Sequence, residues 1–104
     1  MNTLTFDRLR ETNVARCEDV FHPLASWSLT EWALAMIGEA GEVCNVVKKI
    51  NRGDHAADQG LGAELADVVI YADLLAARAG INLEAAIVEK FNAVSRKRGS
   101  SVRL

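Results

Sequence analysis

The chain has 104 residues, half of them hydrophobic and a quarter charged, which predicts one ordinary globular domain over 1–104. A net charge of −2 argues against a nucleic-acid polymer as partner, because a basic surface supplies most of that affinity. No run approaches the roughly 18 apolar residues of a membrane span, and the N-terminus lacks the basic-then-apolar layout of a signal peptide. A cytoplasmic protein without a membrane partner is expected. Cys17 and Cys44 have no metal-like spacing and read as reduced, small hydrophobes.

Residues 4 to about 20 predict a first amphipathic helix, with Leu4, Leu9, Val14 and Val20 at imperfect helical spacing. His22-Pro23 ends it, since proline removes a donor and restricts its predecessor. Ser28 or Thr30 is placed to cap a second helix running to about Ile50, with Glu31 in its first turn. Asn51-Arg52-Gly53-Asp54 is a stop signal, and residues 54 to 60 read as a polar loop. A third helix is predicted from Leu61 to Ala79, closed by Gly80 as a C-terminal glycine cap. Asn82 caps a fourth from Leu83 to about Arg98, ended by Gly99. Nothing alternates with a period of two, so strands are not supported and the fold class is all-α.

Two acidic pairs interrupt these apolar helices. Glu39 and Glu42 form one, Glu64 and Asp67 the other, and each is spaced i, i+3, so both side chains of a pair leave one helix face. On the second helix Trp32, Met36, Val43, Val46, Val47 and Ile50 form the apolar stripe; Glu39 falls within it and Glu42 on its flank. On the third, Leu61, Leu65, Val68, Ala72 and Leu75 form the stripe. Glu64, Asp67 and Tyr71 line its edge, while Asp73 points away as an ordinary surface acid. Leu83, Ile87, Phe91 and Val94 make the stripe of the fourth, with Lys90 inside it, so a lysine and four acids face one interior. Unpaired buried carboxylates are costly, and four converging ones call for a hard divalent cation. Carboxylates without His or Cys suit Mg²⁺ or Mn²⁺ over Zn²⁺ or Cu²⁺. A di-iron bundle needs Glu-x-x-His motifs, and neither His22 nor His55 lies in one.

The pattern Glu39-x-x-Glu42, 21 residues, then Glu64-x-x-Asp67 resembles the signature of the MazG-like all-α nucleotide pyrophosphohydrolases, a superfamily that includes dimeric dUTPases and dCTP pyrophosphatases. The contexts GEAGEVCNVVKKI and LGAELADVVIYADLLA and the later EKFNAVSRKRG resemble it too, over about residues 27 to 99. The resemblance implies a four-helix-type bundle working as a homodimer or a dimer of dimers, a homotetramer. It implies hydrolysis of a nucleoside triphosphate substrate between the α and β phosphates, releasing a monophosphate and pyrophosphate. Leu34 and Ile37 give the second helix an apolar side off its main stripe, which fits assembly or packing against the N-terminal helix.

Within that expectation Glu39, Glu42, Glu64 and Asp67 hold Mg²⁺, with Mn²⁺ as a substitute, and Glu39 doubles as the water-activating base because it sits deepest in the apolar stripe. Lys49, on the Glu42 side of its helix, is expected to meet phosphate, whereas Lys48 points away. Lys90 is a second candidate, against a snorkelling stem with its ammonium in water. Arg96 either contacts phosphate or complements the last turn of its helix. Pyrimidine-specific relatives often carry an asparagine where Val94 stands here, leaving Asn92 and Ser95 as nearby polar substitutes. Trp27, in an Ala-Ser-Trp-Ser segment, suits a lid or a base wall, Trp32 suits the core, and Tyr71 suits a bond to sugar or to a carboxylate. His22 faintly resembles a base-pocket segment of dCTP pyrophosphatases but reads as an exposed loop residue. The competing reading is a non-catalytic helical interaction module whose acids hold a structural divalent ion.

Overall fold

A computed structural model describes residues 3–54 and 60–104; most of the loop expected at 54 to 60 lies outside the described residues. Among those described there are four α helices and no strand: α1 (Phe6–Arg16), α2 (Leu29–Asn51), α3 (Leu61–Arg78) and α4 (Leu83–Lys97). A single π turn, Cys17–Phe21, extends α1, and a 3-10 turn, Leu24–Ser26, precedes α2.

The main packing is α2 along α3, with α1 laid on α3. Ser28 caps α2 in a reciprocal box, its hydroxyl accepting from Glu31 N–H while the Glu31 carboxylate accepts from Ser28 N–H. Cys17, Trp32 and Leu74 are buried at the centre, and Leu24, Trp27, Ile70, Tyr71 and Leu75 pack around them. The indole N–H of Trp32 donates to Leu24 C=O at 3.1 Å, so this large side chain leaves no donor unmet.

The buried register of α1 differs from the one its aliphatic residues predict. Leu4 and Val20 are exposed, and the inward face runs through Leu9, Asn13 and Cys17. A buried asparagine needs partners, and Asn13 finds them on α3. Its amide donates to Ile70 C=O at 2.9 Å and to Asp73 Oδ2 at 3.1 Å. Arg10 Nε donates to Asp73 Oδ1 at 3.0 Å, and Arg10 Nη2 to Ile81 C=O at 3.0 Å. Asp73 is therefore the most deeply buried acid, 1% exposed, and not a surface residue. The face of α3 that carries it is covered by α1, which periodicity on α3 alone does not show. Leu65, expected inside, is exposed on the other side.

Gly80 closes α3 at φ 70°, which only glycine adopts at little cost. Its N–H donates to Ala77 C=O and that of Ile81 to Ala76 C=O, the double bond of a Schellman motif. Asn82 then caps α4 through Ala85 N–H. The stripe expected on α4 forms but is not covered within this chain: Ile87, Phe91 and Val94 are 38–45% exposed, and Lys90 is exposed as well. Lys90 thus does not face a common interior with the acids, because α4 packs only marginally on the other helices.

Candidate active site

The packing of α2 on α3 brings Glu39 against the acidic edge of α3. One carboxylate oxygen each from Glu39, Glu64 and Asp67 lie within 4.8 Å of one another, and all three residues are half-buried. Glu42 is exposed and lies outside this trio, one turn along α2, so three of the four expected acids converge and the fourth flanks them. Burial raises the pKa of Glu39, and the charges of Asp67, Glu64 and Glu42 raise it further. No lysine or arginine among the described residues lies within 4.0 Å of the trio; the ion pair found there is Arg10–Asp73. Three crowded oxygen donors with no counter-charge fit a hard divalent cation.

The trio separates two clefts. One, of about 290 Å³, is bounded by Glu39 and Asp67 together with Arg16, Phe21 and Tyr71. The other, of about 280 Å³, is bounded by Glu42 and Glu64 with Asn45, Lys48, Lys49 and Arg52. Lys49 is where its helical position predicts. Lys48 lines the same cleft instead of pointing away, since positions 45, 48, 49 and 52 share one face of α2.

Behind the first cleft, and sharing Phe21, Tyr71 and Leu74 with it, lies an aromatic recess of about 140 Å³. The His22 ring stands 4.2 Å from Trp27 and 5.3 Å from Trp32, and the two indoles are 4.6 Å apart. His22 is held by Ser26 Oγ at 2.9 Å from its Nδ1, so it is a half-buried wall and not a free loop residue. Trp27 also bounds the recess, and Arg78 Nε donates to its backbone C=O at 2.8 Å. Burial and the charges of Glu39 and Asp67 push the Tyr71 phenol upward, so it keeps its proton and can donate a hydrogen bond.

Lys90, Asn92 and Arg96 lie on α4 and bound neither cleft. The Asn92 side chain accepts from Leu104 N–H at 2.9 Å and donates to Leu104 C=O at 3.4 Å. Periodicity missed Arg16, Phe21, Lys48 and Arg52. Arg16 precedes and Phe21 ends a π turn, whose wider winding shifts the helical register between them and leaves no regular spacing to detect. A larger groove, about 340 Å³, lies elsewhere around Arg10 and Asp73, whose charges already satisfy each other.

The MazG nucleotide pyrophosphohydrolase domain family matches residues 28–99, about two-thirds of the chain. The chain belongs to that family. The match takes in α2, α3 and α4 and both acidic pairs, while α1 and its π turn precede it. No curated protein and no solved structure matches the chain. Among the described residues no helix is long and apolar enough to cross a membrane.

Proposed function

We propose that the protein is a Mg²⁺-dependent hydrolase that cleaves a nucleoside or deoxynucleoside triphosphate between the α and β phosphates, removing surplus or non-standard nucleotides from the cellular pool. The convergence of Glu39, Glu64 and Asp67 carries this reading, and the family membership supports it. Glu39, Glu64 and Asp67, with Glu42 beside them, would hold a Mg²⁺ or Mn²⁺ ion, which would supply charge neutralisation at the phosphates and a more acidic water. Glu39 is the proton acceptor of the set, since it faces the cleft that Asp67 and Tyr71 also bound; in the ion-free protein burial and three neighbouring acids raise its affinity for a proton. Water adds across the Pα–O–Pβ bridge, the bridging bond breaks, and Glu39 takes the water's proton. The products are a monophosphate and pyrophosphate.

The clefts give the substrate a direction. The recess of Phe21, His22, Trp27, Trp32 and Tyr71 offers stacking surfaces to a base, and Lys48, Lys49 and Arg52 offer cations to the terminal phosphates. The uncovered stripe of α4 fits burial against a second copy, in which Lys90, Asn92 and Arg96 would approach the neighbour's cluster. Glu39→Gln and Asp67→Asn, each shown to be folded, are expected to lower kcat by at least about 100-fold, as loss of a ligand or base does. Full turnover in both variants would remove these acids from the active site, whereas a wild type without turnover that loses melting temperature with its ion would be the interaction module.

A further inference from the structure

We propose that Arg16, contributed by α1 from outside the matched domain, binds the α-phosphate and so holds the monophosphate half of the substrate, while Lys49 and Arg52 hold the leaving pyrophosphate. The inference rests on the pyrophosphohydrolase reading and adds to it a residue and a division of labour. Two observations of the clefts support it. Arg16 bounds the same cleft as Glu39, Asp67 and Tyr71, on the side next to the aromatic recess. The basic residues of α2 bound a different cleft, across the acidic trio. A nucleotide with its base in the recess therefore meets Arg16 first, the acids next, and Lys49 and Arg52 last.

The guanidinium is also positioned without being spent. Its Cζ lies 5.9 Å from the centre of the Phe21 ring, a cation–π contact made possible because the π turn folds Phe21 back beside the last turn of α1. Among the described residues no carboxylate lies within 4.0 Å of it, unlike Arg10, which is committed to Asp73. Its charge nonetheless reaches the site, where it opposes the upward push of Glu39 and Asp67 on the Tyr71 phenol. An arginine fork suits two oxygens of one phosphate. The competing role for Arg16 is structural: it ends α1 and would complement that helix's C-terminal dipole.

Product binding separates the two roles. Inhibition constants of dAMP, dCMP, dGMP and dTMP, and of inorganic pyrophosphate, are to be measured with Mg²⁺ for the wild type, Arg16→Ala, Arg16→Lys and Lys49→Ala, alongside direct calorimetric binding of the same probes. Losing a charge-assisted contact predicts that Arg16→Ala weakens the tightest monophosphate by about 10- to 100-fold and raises KM. Pyrophosphate binding stays unchanged in that variant, Arg16→Lys recovers part of the loss, and Lys49→Ala shows the opposite pattern. Arg16→Gln keeps the stem across Phe21 and carries the test if alanine lowers stability. Unchanged monophosphate binding in folded Arg16 variants, or equal weakening of both products, overturns the assignment. A wild type that hydrolyses none of the triphosphates fails the underlying reading instead, a result distinct from an active enzyme indifferent to Arg16.

Discussion

Glu39 concentrates the electrostatic tension of the site, and its ionisation gives a test at the scale of one residue. Its folded-state pKa is raised by burial first and by Asp67, Glu64 and Glu42 after that. Below the ordinary glutamate range both folded and unfolded chains hold the proton, and Glu39 costs the fold nothing. As pH rises from that range to the raised value, the unfolded chain ionises first and ion-free protein loses stability; the loss persists above it. Glu39→Gln removes the term. Thermal melts in a chelating buffer should therefore show the variant gaining on the wild type between acid and neutral pH, with no gain at the acid end. Added Mg²⁺ should then raise the melting temperature of the wild type more than that of the variant. A pH-independent difference would mean that the four acids do not interact as their spacing implies. Glu39 was legible in the sequence because a glutamate inside an apolar stripe is conspicuous. Arg16 was not, since nothing in the pattern of α1 shows that its last residue ends beside the acidic cleft.

Among the elements, α1 is attached through polar groups more than through hydrophobic ones. Asp73 binds Arg10 and Asn13 at once and is almost wholly buried. Removing it leaves the buried Asn13 amide with its bond to Ile70 C=O alone and the partly buried Arg10 guanidinium without its counter-charge. Asp73→Ala should cost about 3 kcal/mol, the scale for breaking a buried pair, read as a lower urea midpoint with an unchanged m-value. A shift within error of zero would show that α1 is held by Cys17 and Leu9 alone. The helices and their caps could be read from sequence, because Ser28, Gly80, Asn82 and Gly99 act locally. The face that α1 covers could not, because a stripe containing Arg10 and Asn13 looks polar until the partner acid on α3 is known.

For the molecule as a whole, the single chain is too open for its size. Its radius of gyration is 16.2 Å, against about 13 Å for a compact domain of this length. Its accessible surface is 7367 Å², against roughly 5,700 Å² for a compact monomer of the same mass. The excess includes Leu34 and Ile37 on α2 and Ile87, Phe91 and Val94 on α4, all apolar and exposed. A second copy covering these faces, as proposed above, would restore ordinary burial, for which an interface of about 800 Å² per partner is typical. Phe91→Asp should consequently shift the sedimentation coefficient from an oligomer to a monomer; a wild type that sediments as a monomer at micromolar concentration removes this expectation. The all-α class followed from periodicity, whereas the exposure of the α4 stripe did not, because an uncovered stripe looks identical to a core stripe in sequence.

Hydrolysis itself tests the central claim most directly. Purified protein is to be incubated with a panel of standard and modified NTPs and dNTPs, with Mg²⁺ and separately with chelator, and the products resolved by chromatography. A MazG-family pyrophosphohydrolase built on Glu39, Glu64 and Asp67 releases monophosphate and pyrophosphate in equal amounts, only when the cation is present. Release of diphosphate and orthophosphate, or silence across the panel with both Mg²⁺ and Mn²⁺ on folded protein, would contradict it.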